Sequence, residues 1–273
     1  MSNGILNKIE SLPPLPQTII EIENYRKEDC KDALKLLRII EKDALVITTL
    51  LKTTNSAMFG FRSAVETPSR AINLLGINFT VSIAIASIIN NLIKTDLEPY
   101  SLSGDDFMRL SNIATSLANI WLTKLDAELR DELVLPALLQ EAGKFIIADV
   151  IASNEKTEPF KEEFTQTKNI PALEKEMSGY TTSEVTALVF EHWKLSEKLV
   201  SSIKYVDDLE NCDPEYLQQA QILDVIKTAC DVRDPLGSDC VNSAMKKAKT
   251  YGLDTQLFYQ AVVKLQERLL DEE

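Results

Sequence analysis

The histidine content limits the chemistry that this chain can perform. His192 is the only histidine among 273 residues, and it directly precedes Trp193. Imidazole is the side chain used most often in general acid–base catalysis and in the activation of a nucleophile. If Trp193 and Val189 face the core of a helical protein, His192 lies about 100° away around the helix. We therefore expect His192 at the edge of the core-facing side of this helix or on its surface, without a catalytic role.

The cysteines and the short motifs give no indication of a cofactor. The cysteines are widely separated and form no C-x-x-C pair, so they lack the ligand spacing of a zinc site: Cys30, Cys212, Cys230 and Cys240. The sequence also lacks a Gly-x-Ser-x-Gly motif, a P-loop and a dinucleotide-binding fingerprint. We predict free thiols, no covalent catalysis, no nucleotide transfer and no cofactor.

The charge balance limits the classes of molecule that this chain can bind. The chain has 42 acidic and 29 basic residues, which gives a formal net charge of −13. An acidic surface repels phosphate backbones and anionic lipid headgroups. The longest apolar runs contain serine, alanine or aspartate and are shorter than the roughly 20 residues that a bilayer span requires. With no secretory signal at the N-terminus, we expect a cytoplasmic protein that binds neither nucleic acid nor membranes.

The elements that position these residues are predicted to be helices. The chain has only 8 glycines, which leaves few places for tight hairpin turns. Leu34, Leu37 and Ile40 recur at the three-residue spacing of an amphipathic helix. Polar residues that can accept hydrogen bonds from the first N–H groups of a helix precede several apolar runs: Asp43, Thr67, Thr181, Asp213 and Asp254. Thr181 and Glu184 have the spacing of a capping box. These patterns predict an all-α fold.

Two less apolar segments interrupt the helical runs. We interpret residues 153–179, which are polar and contain Pro159 and Pro171, as a charged connector of helix and loop. A short acidic break at Asp207 to Pro214 precedes three helices, predicted near residues 214–232, 238–251 and 255–270. We predict that residues 209–273 form a C-terminal helical extension that packs on, or completes, a domain formed by residues 12–208.

Three segments carry a resemblance to a known family. They are LPPLP at Leu12 to Pro16, IIEKDALVITTLLKTTNSAMFGF at Ile39 to Phe61, and TPSRAINLLG at Thr67 to Gly76. Together with LLQEAGK at Leu138 to Lys144 and the stretch Gly179 to Asp208, the chain resembles the HDOD family over most of residues 12–208. The resemblance implies an HD-domain/PDEase-like multi-helix fold with additional C-terminal helices, and a role as a bacterial signalling or regulatory module.

At the positions that the same resemblance aligns with the metal ligands of HD phosphohydrolases, this chain has residues of other types. Where the family has Leu-Leu-His-Asp-x-Gly-Lys, this chain has Gln140 and Glu141 in place of histidine and aspartate. The Gly-x-Asp-His stretch ends here at Thr182, and the later histidine pair corresponds to Val206 and Asp207. HD hydrolases use histidine and aspartate ligands to hold metals that generate hydroxide. The resemblance therefore implies an HD scaffold without its metal site and without catalytic residues.

An enzyme that uses only carboxylates is the alternative. Glu141, Asp149, Asp207 and Asp208 would supply the oxygen ligands that hard cations prefer, and the reaction would be the metal-dependent cleavage of a phosphodiester such as a cyclic dinucleotide. The other interpretation is that Gln140 and Glu141 form hydrogen bonds within a helix-lined cleft or face solvent, and that Asp207 and Asp208 lie in a solvated loop.

Two segments are candidates for contact with a partner. The residues Asn55, Ser56, Met58, Phe59 and Phe61 combine polar groups, a flexible methionine and two aromatic rings, and form a candidate binding surface. Alternatively, this segment ends a helix and its rings enter the core. The Leu12 to Pro16 segment either docks in an aromatic groove of another protein or clamps the N-terminus onto its own domain. The leading functional hypothesis is a non-catalytic module that binds a protein partner or a small signalling ligand.

Overall fold

The structure is a computed structural model that describes residues 2–28, 30–56, 59, 61, 63–92 and 96–270. These residues form sixteen α-helices and two short 3-10 turns and contain no β-strand, which confirms the predicted all-α class. The helices are α1 (Ser2–Glu10), α2 (Gln17–Arg26), α3 (Ala33–Ile40), α4 (Ala44–Thr54), α5 (Pro68–Leu75), α6 (Ile77–Leu92), α7 (Gly104–Leu125), α8 (Ala127–Leu139), α9 (Gly143–Ser153), α10 (Thr157–Gln166), α11 (Ile170–Ser178), α12 (Thr182–His192), α13 (Glu197–Lys204), α14 (Leu217–Ala229), α15 (Ser238–Thr250) and α16 (Thr255–Leu270).

The helices belong to two compact units. Residues 1–14, 92–111 and 139–225 form the first unit, and residues 15–91, 112–138 and 226–273 form the second. The boundaries between the units fall within α6, α7, α8 and α14 or in the link after α1. Each unit therefore combines segments that are distant in sequence. The predicted division at residue 208 between a domain and a C-terminal extension stays a prediction.

Most of the predicted N-caps are present. Asp43 accepts a hydrogen bond from Leu45 N at 3.0 Å and begins α4, and Thr67 and Asp254 cap α5 and α16 in the same way. Thr181 and Glu184 form the predicted capping box of α12. The exception is Asp213, which accepts from Glu215 N in a turn, so that α14 begins later, at Leu217. The aspartate stabilises the turn before the helix rather than the helix itself.

The core of the first unit is built around α9. This helix packs against α1, α10, α11 and α12, and eight of its residues are buried. A helix with apolar residues on all sides is typical of a central position. The N-terminal segment is held to the same unit, because the Trp193 indole N–H donates a hydrogen bond to Pro13 O at 3.0 Å. This contact supports the interpretation that the proline-rich segment clamps onto its own domain.

The core of the second unit includes residues of α3, near the start of the chain, and of the last two helices, α15 and α16. Helix α3 buries Leu36, Ile39 and Ile40, whereas Leu34 is 61% exposed. The predicted helix is confirmed, and of the three residues whose spacing indicated it, Ile40 is buried and Leu37 is half-buried. Leu34 lies outside the buried face, because α3 contains more apolar residues than one face can bury. At the other end, Trp121 contacts Phe258 of α16 edge to face, with 4.9 Å between ring centroids. In the part of the chain that the structure describes, no helix is both long and apolar enough to cross a bilayer.

Candidate functional site

The first turns of α9 and α12 touch in the first unit because residue 143 is a glycine. A Cβ atom at Gly143 would lie 2.4 Å from Thr182 O and 2.8 Å from Thr186 N, closer than van der Waals contact permits. The Gly143 N–H donates to Thr186 Oγ1 at 2.8 Å. The Thr186 hydroxyl in turn lies 3.1 Å from Gln140 O and 2.8 Å from Thr182 O. This close approach brings the Gln140 to Lys144 segment against the start of α12.

A buried ion pair lies at this junction. Lys144, the second residue of α9, has its Nζ atom 2.7 Å from Glu174 Oε1 and 2.9 Å from Glu141 Oε2. The side chains of Lys144 and Glu174 are 1% and 0% exposed, and that of Glu141 is 19% exposed. Lys144 Nζ also donates to Thr182 Oγ1 at 3.2 Å. The three N–H groups of the ammonium thus have three acceptors.

Glu174 is equally well satisfied. Its carboxylate accepts hydrogen bonds from Tyr100 Oη at 3.0 Å, from Thr182 N at 2.8 Å and from Thr182 Oγ1 at 2.7 Å, in addition to the bond from Lys144. A buried carboxylate needs such donors because burial removes its hydration. The four donors come from three separate segments, α9, α12 and the 3-10 turn at Glu98–Tyr100. Glu174 therefore connects them.

Tyr100 closes the network on one side. The Lys144 ammonium lies over its ring, 4.7 Å from the centroid, a distance suited to a cation–π interaction. Burial, followed by the negative charge of Glu174 and the hydrogen bond to it, raises the pKa of Tyr100 well above its usual value. The phenol therefore stays protonated and acts as a hydrogen-bond donor.

The structure brings together three of the five residues that the resemblance aligns with HD ligands. Thr182 and Glu141 belong to the Lys144 network, and Gln140, which is 1% exposed, directly precedes Glu141. Gln140 Oε1 is buried, and no described residue donates a hydrogen bond to it. Val206 is a core residue, 2% exposed. Asp207 Oδ2 accepts from Ser183 N at 3.2 Å and so lies at the N-terminal end of α12, half-buried rather than in a solvated loop.

The electrostatics at this site favour a fixed internal cation. Two carboxylates, Glu141 and Glu174, each lie within 3 Å of the same ammonium group. A divalent metal bound by these oxygens would have to displace Lys144 or approach it against charge repulsion. Across the described ranges, no group of three or more histidine, cysteine, aspartate or glutamate side chains has a geometry that could hold a metal ion. The arrangement ties helices together by an ion pair.

The other residues considered for chemistry lie elsewhere in the first unit. Asp149 pairs with Lys8 of α1 at 2.8 Å, and the Asp208 carboxylate accepts from Asn211 Nδ2 at 2.8 Å. His192, the last residue of α12, is exposed as predicted. The carboxylates of the alternative metal site therefore have separate partners.

The candidate binding surface belongs to the second unit. Asn55 donates through its side-chain amide to Val65 O at 2.9 Å and accepts from Val65 N at 2.7 Å, so it closes the loop between α4 and α5. Ser56 Oγ donates to Thr53 O at 2.9 Å. The Phe59 ring stacks on Phe61 with 6.1 Å between centroids and contacts Phe79 edge to face. Both rings are half-buried, and Met58 lies outside the described residues.

Two central residues, Glu174 and Tyr100, are not identifiable from the sequence. The segment 153–179, predicted to be a charged connector of helix and loop, forms the helices α10 and α11 and the loop between them, but its residue Glu174 is fully buried. Glu174 occurs among lysines and glutamates that face solvent, and Tyr100 follows a proline in a polar stretch. Lys144 was visible only as the last residue of the LLQEAGK motif. The one available signal was the helical spacing of Leu173 and Glu174 with Ser178, all buried.

Comparison with known proteins places the chain in a family. The HDOD domain profile matches residues 12–209, which is more than two thirds of the chain. A curated relative, an uncharacterized protein from Treponema pallidum (strain Nichols), is 25% identical over an alignment of 228 residues, and the match covers 79% of this chain. The match spans only 41% of the length of that relative.

Three solved structures are similar along almost the full chain. A virulence factor from Campylobacter jejuni subsp. jejuni is 26% identical with a TM-score of 0.57, and the match covers 98% of this chain and 100% of that one. A candidate phosphohydrolase from Shewanella amazonensis SB2B is 20% identical with a TM-score of 0.71, covering 98% and 96%. An HDOD domain protein with unknown function from Geobacter sulfurreducens is 14% identical with a TM-score of 0.71, covering 99% and 94%. The chain has the all-helical HD-like fold and belongs to the HDOD family.

Proposed function

We propose that this protein is a non-catalytic signalling module, which acts in the cytoplasm by binding a protein partner or a small signalling ligand. The observation that carries the proposal is the Lys144–Glu174 ion pair. The HD-ligand positions hold Gln140, Glu141 and Thr182, and two of these side chains contact Lys144 Nζ. An internal ammonium serves there as the cation that balances the carboxylates.

The phosphodiesterase alternative has less support. It requires Glu141, Asp149 and Asp207 to share a divalent cation, and these carboxylates contact Lys144, Lys8 and the start of α12, respectively. One structural relative is named as a candidate phosphohydrolase, but at 20% identity the likeness concerns the fold. Fold likeness alone does not carry an activity.

The experiment that separates the two proposals measures metal content and turnover together. The protein is purified without a metal-affinity tag, analysed for bound metals, and assayed with Mg²⁺ and Mn²⁺ against a cyclic dinucleotide and a simple aryl phosphodiester. We expect substoichiometric metal and no turnover. Stoichiometric metal with turnover that is lost in Glu141→Gln, but kept in the exposed control Glu162→Gln on α10, would overturn the proposal.

The candidate binding surface is tested by substitution of its aromatic part. Asn55 is left unchanged because its two bonds to Val65 close the loop. Phe61→Ser is compared with Leu34→Ser, which alters an exposed leucine of the same unit. If residues 55–61 contact a partner, that partner should no longer co-purify from native extracts with the Phe61→Ser variant, whereas it should still co-purify with Leu34→Ser. Equal amounts of co-purified partner with both folded variants would exclude this surface.

A further inference from the structure

A groove of about 490 Å³ opens on the first unit, beside α13 and apart from the Lys144 network. Buried Leu195 and Val200 contribute apolar lining. Two half-buried tyrosine rings, Tyr205 and Tyr216, lie along it. Three exposed carboxylates complete the wall: Glu191, Glu197 and Asp213. The groove thus combines aromatic faces with a negative rim.

One cationic side chain of the protein itself already contacts an acidic and an aromatic residue of this groove. Lys204 also lines the groove, and its Nζ atom is 3.4 Å from Glu191 Oε1 and 5.7 Å from the centroid of the Tyr205 ring. This is the pair of contacts by which proteins recognise ammonium and guanidinium groups, a carboxylate on one side and a π-face on another. The contacts of Lys204 indicate that this part of the groove suits an ammonium or guanidinium group.

Tyr216 supplies a second aromatic ring of the groove lining, in addition to Tyr205. Partial burial and the negative charges of Glu215, Glu197 and Asp213 raise the pKa of Tyr216, and Glu197 and Asp213 line the same groove as its ring. Asp213 is held in position, because its carboxylate accepts from Glu215 N at 2.9 Å. The four charged lining residues are Glu191, Glu197, Asp213 and Lys204, so the groove carries an excess of negative charge.

We propose that this groove binds a basic segment of a protein partner, with an arginine or lysine side chain held by the tyrosine rings and carboxylates of the lining. Charge complementarity carries the choice of occupant, since the groove and the whole chain, at −13, are acidic. The inference rests on the proposed function, because it names a partner class for a binding module. A peptide titration and the phosphodiesterase assay are separate measurements, so the failure of one is distinguishable from the failure of the other.

The probe is a blocked peptide of alternating glycine and arginine residues, titrated into the full chain at physiological ionic strength. A matched peptide with neutral citrulline in place of arginine is the ligand control. We expect saturable binding of the arginine peptide only. Tyr205→Leu and Tyr216→Leu should each weaken it by about two- to fivefold through loss of the π-face. Glu197→Gln with Asp213→Asn should weaken it by about fivefold or more.

Two comparisons separate the groove from the diffuse charge of the chain. Glu162→Gln with Glu163→Gln removes the same two charges from the exposed face of α10 and should leave affinity nearly unchanged. Lys204→Gln removes the internal competitor and should tighten binding by about two- to fivefold, whereas Lys249→Gln on α15 should not. Equal weakening by both acidic pairs, binding of the citrulline peptide, or equally tight binding of spermine in competition would each overturn the proposal.

Discussion

Lys144 and Glu174 illustrate how a charged pair can be buried without a metal. Each charge is surrounded by partners, because Lys144 contacts Glu174, Glu141 and Thr182 while Glu174 also accepts from Tyr100 and from Thr182 N. Desolvation of two ions is costly, and the hydrogen bonds offset that cost only while both partners are present. The pair therefore makes the packing of α9, α11 and α12 dependent on two side chains.

Removal of either charge alone should be strongly destabilising. Lys144→Met is expected to lower the free energy of unfolding by about 3–5 kcal/mol, because Glu174 then stays buried without its counterion. Glu174→Gln should cost somewhat less, because Lys144 keeps the Glu141 carboxylate 2.9 Å from its Nζ atom. The loss of unfolding free energy in the double variant should be smaller, by about 1–3 kcal/mol, than the sum of the losses in the two single variants. Chemical denaturation measures all three. Strict additivity would contradict the coupling, and Lys175→Met, at an exposed pair with Glu184, should cost no more than about 1 kcal/mol.

Tyr100 should make stability sensitive to alkaline pH. Its pKa in the folded protein is raised well above the ordinary value of 10.0 by burial and by Glu174. The folded state therefore binds the phenolic proton more tightly than the unfolded chain, and the free energy of unfolding falls as the pH rises beyond about 10. Tyr100→Phe should show a shallower decline between neutral pH and pH values above 10 in denaturation curves. An identical slope in both proteins would contradict the assignment.

At the scale of helices, the junction of α9 and α12 depends on the absence of one methyl group. Gly143→Ala would place a Cβ atom within 3 Å of the backbone at Thr182 and Thr186, and neither atom is the end of a flexible side chain. We expect a loss of about 1–3 kcal/mol in unfolding free energy. Gly104→Ala, where a Cβ would meet nothing within 4 Å, is the control and should be neutral or slightly stabilising. A neutral Gly143→Ala would show that the helices can separate without cost.

At the scale of the whole molecule, we propose that the C-terminal residues complete the second unit rather than extend it. Phe258 is fully buried against Trp121, while its neighbour Tyr259 is 52% exposed. Phe258→Ala should lower the unfolding free energy by about 3–5 kcal/mol, and Tyr259→Ala should change it little. A small effect of Phe258→Ala in thermal and chemical denaturation would indicate that α16 is a dispensable addition.

The local features of this protein could be predicted from its amino-acid sequence. The all-α class and the caps at Asp43, Thr67, Thr181 and Asp254 follow from interactions within a few residues of each other. The family likewise follows from short motifs, and the profile match over residues 12–209 agrees with it. Predicting such features does not require knowing which helices pack together.

What surrounds Gln140, Glu141 and Thr182 depends on how distant helices pack together. Lys144 and Glu174 are 30 residues apart, and Tyr100 and Glu174 are 74 apart, so no local pattern links them. In sequence, Glu174 looks like one more solvated charge, and its burial depends on how α11 packs against α9. The same holds for α3, where helical spacing indicated the element but packing selected Leu36 over Leu34 as a core residue. Periodicity specifies a helix, whereas the neighbours of that helix decide which face is buried and which charges meet.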